Sequence, residues 1–335
     1  MRHVFVVLIL VLTTSVAGAA DLYHLTKEIP IGGDGGWDYI TVDPAAHRLY
    51  VSHATKVVVV DIDSGKLVGE IRDTAGVHGI ALAPDLARGF TSNGAANTST
   101  IVDLKTLQPL GTVQTGGNPD AILYEPIRNE VYTMNGSGKS ITVFGAQSGN
   151  VVATIDLGAK PEAAAEDRPT KRLFVNLEDT AEIAVIDIEK HTVAARWPLA
   201  GCEEPTGLGY DPKSKRLFSA CGNGVMVVTD SVSGEIVTTS PIGSGADGAA
   251  FDPGTDYVFA SNGRDGTVTV AHVDSPSKLT LVQTLATQVS ARTMILNPVT
   301  HDIYLPAAMT VPNPAGRGRP QIVADTFKVL VYGLN

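Results

Sequence analysis

Seven segments of this chain share one shape, and that self-similarity restricts the fold more than any other feature. They read WDYITVDPAAHRLYVS, VHGIALAPDLARGFTSN, PDAILYEPIRNEVYTMN, PEAAAEDRPTKRLFVN, PTGLGYDPKSKRLFSAC, ADGAAFDPGTDYVFASN and ARTMILNPVTHDIYLP. Each carries a proline, at Pro44, Pro84, Pro126, Pro169, Pro212, Pro253 and Pro298, spaced 40 to 45 residues apart. A unit of that size buries its apolar faces only against neighbouring copies. Seven copies at that period predict an all-β fold, a seven-bladed β-propeller of four-stranded antiparallel blades, with another solenoid as the alternative.

The strands of each unit are legible. An alternating inner strand runs into the proline turn, where the fixed φ of proline suits an early turn position. The second strand carries an aromatic: Tyr50, Phe90, Tyr132, Phe174, Phe218, Phe259 or Tyr304. A short loop leads to a β-branched third strand such as VVVVDID or EIAVIDI, and an outer fourth strand such as KLVGEI follows. One of the loops, NGSGKS at 135–140, resembles the end of a phosphate-binding loop. Thr133 stands where that motif needs its first glycine, and SITVF after it reads as a strand rather than a helix. It is the third copy of a recurring loop, and Lys139 is expected to be a solvated charge. The seventh unit shows no fourth strand, whereas DLYHLTKEIPIGG near the start of the chain has that strand's character. The two ends are therefore expected to pair within one blade and close the ring.

Residues 1–19 differ in kind. A basic MRH, the apolar VFVVLILVL and a small-residue AGAA form a secretory signal peptide, with Ala17 and Ala19 at the cleavage positions. The expected mature product is one domain over residues 20–335, exported to the periplasm or secreted, with no stable membrane insertion and a monomeric form. A formal net charge of −10 makes nucleic acid a poor partner, since no counterion release rewards binding. Cys202 and Cys221 flank the first two strands of the fifth unit and are expected at the same end of it. A disulfide is the expectation in an oxidising compartment, two free thiols the alternative. No CxxCH occurs, which excludes covalently attached c-type haem.

The strand ends YVS, FTSN and FASN, with VVVVDIDSGKLVGEI and EIAVIDIEKHTVAARW after two of the units, resemble the YVTN-type repeat of exported bacterial YncE-like propellers. The resemblance spans residues 20–335 and implies the propeller fold. The sequence departs from it at His53, Cys221 and LPAA, where the usual asparagine is missing. Relatives of that family include lactonase-type and haem-carrying propellers, so the resemblance leaves the activity open.

The prolines supply a register for the channel. Six residues before them stand Asp38, His78, Asp120, Thr206, Asp247 and Arg292, and an extra residue in the fourth unit moves the equivalent to Glu162. Trp37, Glu203 and Glu204 lie beside this ring. Polar residues at all seven positions are read in two ways. One is a wet channel mouth in which Arg292 pairs with Asp38 or Asp247. The other is a site for a small polar ligand, a protein partner or a divalent cation. Asp120, Glu162, Asp247 and His78 are the candidate metal ligands, with Ca²⁺ or Mg²⁺ favoured by the oxygens and Zn²⁺ or Mn²⁺ admitted by His78. A second tier on the same face comprises His53, Asn93, Asn135, Asn176, Cys221 and Asn262, with the asparagines expected as turn residues and His53 in the blade next to that of His78, where the two could meet. The segment Pro306–Thr326, rich in Pro and Gly and carrying Arg317 and Arg319, is a lid, a docking segment or surface disorder.

Three functions remain. The first is a binding or scaffold protein that uses the ring face. The second is a metal-assisted hydrolase of lactonase type, with Asp120, Glu162 or His78 as acid–base candidates. The third, a redox docking partner, lacks any recognisable haem ligand set.

Overall fold

A computed structural model describes residues 22–313 and 320–335. The signal peptide read at residues 1–19, and Arg317 and Arg319, lie outside the described residues. Seven four-stranded antiparallel sheets follow one another around a central channel as the blades of a propeller. Blade 1 is Ile40–Asp43, Arg48–His53, Lys56–Asp61 and Leu67–Ile71, from the channel outward. Blades 2 to 6 repeat this order. In blade 7 the strands are Ile295–Leu296, Ile303–Ala307, Lys328–Leu334 and, outermost, Tyr23–Pro30 from the other end of the chain. Among the described residues no helix is long and apolar enough to cross a membrane.

Burial explains why the strands differ in pattern. Second and third strands are covered on both faces by adjacent blades, so Glu130–Asn135 is buried at every position. The outer strands have one face in water and alternate, as Thr192–Pro198 does. The seven second-strand aromatics are at most 3% exposed. They sit between blades: Phe218 stacks on Phe251 of blade 6 at 5.6 Å, and Phe90 meets Tyr124 of blade 3 at 6.3 Å. The buried apolar residues fall into seven clusters, each bridging one pair of neighbouring blades.

The loop NGSGKS joins two strands, Glu130–Asn135 and Ser140–Gly145. A Cβ on Gly138 would stand 2.7 Å from the Gly117 amide nitrogen, so the glycine is needed for a close approach of two backbones. Lys139 takes a φ of 47° and donates to Asp179 at 2.6 Å.

The closing strand pairs with Lys328–Leu334 from Tyr23↔Leu334 to Pro30↔Lys328. Tyr23 and Ile29 are fully buried against blades 6 and 7 and blades 7 and 1 respectively. Each buried side chain contributes about 1.5–3 kcal/mol. Deleting residues 22–31 is therefore expected to lower the calorimetric melting temperature by several degrees or prevent folding. A melting temperature unchanged to within a degree would show that the ring does not depend on this strand.

Cys202 and Cys221 are joined, with Cα atoms 5.5 Å apart and a sequence separation of 19. The bond ties the loop leading into blade 5 to the end of its second strand. From loop length alone it contributes about 3 kcal/mol. A Cys202→Ser, Cys221→Ser variant, and the parent chain under reductant, should show matching losses in the urea unfolding midpoint. Equal midpoints with and without reductant would contradict the assignment.

Candidate functional site

The inner strands start at the channel, and their first residues define its mouth. The mouth opens into a chamber of about 880 Å³. All seven ring residues line it, together with Trp37 and Glu204. Glu203 does not: it is exposed, with its amide donating to Asn223 Oδ1. Tyr39 lines both this chamber and a second cavity of about 240 Å³ further down the channel. The walls of the lower cavity are mainly apolar, with Met134, Leu208 and Met294 among them.

The ring residues sort into four arrangements. Arg292 reaches Asp247 Oδ2 at 3.2 Å and Asp38 Oδ1 at 3.5 Å, and donates to the Trp37 carbonyl at 2.8 Å. Glu162 Oε1 lies 2.6 Å from Lys160 Nζ, which also bonds Glu178. The Thr206 hydroxyl donates to the Ala246 carbonyl at 2.8 Å and serves to join blades 5 and 6. The fourth arrangement comprises Asp38, His78 and Asp120. His78 Nδ1 stands 2.6 Å from Asp38 Oδ2 and 3.4 Å from Asp120 Oδ1. Asp120 is 8% exposed, and its Oδ1 accepts no hydrogen bond.

Crowding sets the electrostatics. Burial and the Asp38 charge raise the Asp120 pKa. Burial and Asp120 likewise raise that of Glu162, and burial raises that of Asp247 in spite of Arg292. Burial opposes the charged form of His78, but Asp38 and Asp120 outweigh it and raise the pKa. Lys160 behaves the same way between Glu162 and Glu178. Crowding thus pushes these acids toward their neutral forms, and six acidic side chains share the chamber with Lys160, Arg264, Arg292 and His78.

The four expected metal ligands do not form one group. Glu162 and Asp247 are engaged by Lys160 and Arg292. The three donors that converge are Asp38, His78 and Asp120, with ligand atoms within 4.8 Å of one another. Asp38 was not among the expected ligands.

His53 is not part of the group formed by Asp38, His78 and Asp120. It is buried and stacks on Phe327 at 4.7 Å, and Trp37 stacks on the same ring at 5.2 Å. Burial lowers its pKa. The asparagines are strand residues rather than turn residues. Asn135 Nδ2 donates to Ser140 Oγ and Thr142 Oγ1, and Asn93 and Asn262 make the matching pair of bonds in their blades. Asn176 instead donates to the Gly207 carbonyl of blade 5. Within Pro306–Thr326, Thr310–Val311 pairs with Gln321–Ile322 as a small hairpin, and Thr310, Pro320 and Ile322 face Trp37 and Arg264 across a cavity of about 440 Å³.

Lys160, Glu178, Asn118 and Arg264 also line the chamber and were not anticipated. One signal was present. Two residues before each ring position stand Gly36, Gly76, Asn118, Lys160, Glu204, Gly245 and Ser290, and all seven line the mouth. Five of them have positive φ, which explains the Gly and Asn content at that register.

No protein-family model matches the chain, and no curated protein matches it in sequence. Solved structures do match. The chain is similar to Kuenenia stuttgartiensis hydrazine synthase, with 18% identity and a TM-score of 0.70 over 92% of this chain and 99% of that one. It is similar to the WD40 propeller domain of Doa1, with 14% identity and a TM-score of 0.73 over 94% and 98%. The WD40 repeats of RRP9 align with 12% identity and a TM-score of 0.75 over 92% and 97%. At such identities the likeness establishes the propeller fold and carries no activity across.

Arg292 pairs with two carboxylates, Asp38 and Asp247. Replacing it with Met should cost about 2–3 kcal/mol, below the range for deeply buried pairs because the guanidinium is 32% exposed. Adding Asp247→Asn should restore part of that loss in chemical denaturation. Full additivity of the two changes would mean that the pair is not coupled.

Proposed function

We propose that the chain is an exported, periplasmic propeller of YVTN type that acts as a binding protein. Its channel-mouth face holds a cation, or a small polar ligand carrying positive charge. The seven-copy repeat, with YVS, FTSN and FASN at its strand ends, supports the family reading, and the basic and apolar start of the chain supports export. The Cys202–Cys221 bond suits an oxidising compartment.

One observation carries the binding reading. Six carboxylates line the chamber against Lys160, Arg264 and Arg292. A concave, low-dielectric chamber with that imbalance concentrates positive charge. Positive charge entering it relieves the repulsion that raises the acid pKa values. A second reading, a metal-assisted hydrolase of lactonase type, is favoured by the convergence of Asp38, His78 and Asp120.

Trp37 lines the chamber and reports on it, while Trp197 packs against Phe174 between blades 4 and 5 as a constant background. Spermidine, agmatine and the divalent ions, titrated separately, should include at least one that changes the fluorescence saturably. Its affinity should fall about tenfold or more between low and high salt. Citrate should give no such change. Equal responses to citrate and the cations, or no saturable response to any cation, would overturn the reading.

A further inference from the structure

We infer that Asp38, His78 and Asp120 form a three-ligand site for a divalent transition ion of the zinc or manganese class, open to the chamber on its remaining side. This deepens the binding reading above and rests on it. Three donor atoms from the starts of three consecutive inner strands converge within 4.8 Å of one another. Donors on a zinc ion at about 2.0–2.2 Å stand about 3.3–3.6 Å apart, so the shell closes with small side-chain rotations.

The independent sign of a missing partner is Asp120. Asp120 is 8% exposed as a residue and 11% as a side chain, yet Oδ1 accepts no hydrogen bond. A buried carboxylate oxygen in that state is costly unless something positive stands before it. The nearest cationic atom, His78 Nδ1, lies 3.4 Å away and is already committed to Asp38 at 2.6 Å. One ring proton serves one carboxylate. A metal ion in place of that proton serves both, and the imidazole as well.

The surroundings hold the donors in this pose. Arg292 engages Asp38 through Oδ1 and leaves Oδ2 toward His78. Asn118 hydrogen-bonds the ring, and its Oδ1 shares the space above Gly94 with Nε2, which turns Nδ1 to the carboxylates. Partners of this kind orient ligating histidines in metal sites.

The donor set selects the ion. Ca²⁺ takes six to eight oxygens and Mg²⁺ an octahedron of oxygens, whereas an imidazole with two carboxylates suits Zn²⁺ or Mn²⁺. Three protein ligands with an open position are the arrangement of zinc sites that accept an exogenous group. Here the open side faces the 880 Å³ chamber.

The test is calorimetric titration of the chelator-treated full chain with Zn²⁺, Mn²⁺, Ca²⁺ and Mg²⁺, with Co²⁺ absorption as a second readout of ligand type. The expected result is one equivalent of Zn²⁺ or Mn²⁺, with Ca²⁺ and Mg²⁺ weaker by about tenfold or more. His78→Ala and Asp120→Asn should each weaken uptake by about tenfold or more, and Asn118→Ala by about tenfold. Glu189→Gln and Glu235→Gln, exposed acids outside the chamber, should leave it within about threefold. Circular dichroism and melting curves check that each variant is folded. Should Asp120→Asn fail to fold, His78→Gln carries the test. No saturable uptake, uptake of Ca²⁺ as tight as Zn²⁺, or uptake retained in both ligand variants would each overturn the site. Spermidine or agmatine binding to chelated protein that takes up no metal would overturn the site and leave the binding reading standing. Failure of both cation classes would remove both.

Discussion

The contact on which everything else depends lies between blades rather than within them. Hydrogen bonds make each four-stranded sheet, but a single sheet leaves both faces of its second and third strands apolar. Those faces find cover only in the neighbouring blades, at the seven clusters that bridge them. An open row of blades would expose two such faces, one at each end. A ring exposes none, which is why the chain brings Tyr23–Pro30 back beside Lys328–Leu334.

Ring geometry then dictates the mouth. Seven inner strands start around one axis, so any residue type placed at their shared register is collected into one space. Apolar side chains could not fill a mouth of this width, and polar ones keep it hydrated. The same convergence forces the carboxylates together, and their raised pKa values are the consequence. The site is also coupled to closure. Arg292 and Thr293 of blade 7 bond the carbonyls of Trp37 and Asp38 of blade 1, so the polar ring stitches the same seam that the closing strand protects.

The period of the prolines made the blades, the strand order and all seven ring positions legible, because each depends on local patterns that recur. The two cysteines were equally readable, since one turn separates antiparallel neighbours. Pairing was not legible. The choice of Asp38 rather than Glu162 or Asp247 as the partner of His78 follows from where Lys160 and Arg292 reach, and side-chain reach across blades leaves no trace in the repeat. The second-strand asparagines were misread for a related reason. Asn is a common turn residue, but here Thr and Ser on the facing third strand offer hydroxyls that hold Asn93, Asn135 and Asn262 in the sheet. The packing of His53 was not legible because its partner, Phe327, lies beyond the long insertion of blade 7.

Repetition explains the scaffold and departures from it explain the site. Were the ring symmetric, seven identical charges would meet at the mouth and the chain would have no compact state in which to ionise them. The residues instead divide. Blades 4, 6 and 7 supply an acid with a cation already seated on it or the cation itself, through Lys160 and Arg292. Blade 5 contributes Thr206, whose hydroxyl is spent on a backbone carbonyl, and a disulfide that stiffens the loop ahead of it. Only blades 1 to 3 present donors whose demand exceeds the protons available to them. An internal cation on each acid would have been enough for folding alone. In the cluster from blades 1 to 3, Arg292 reaches only Asp38, Asp120 Oδ1 accepts no hydrogen bond, and the open side faces the chamber, where the proposed cation would sit.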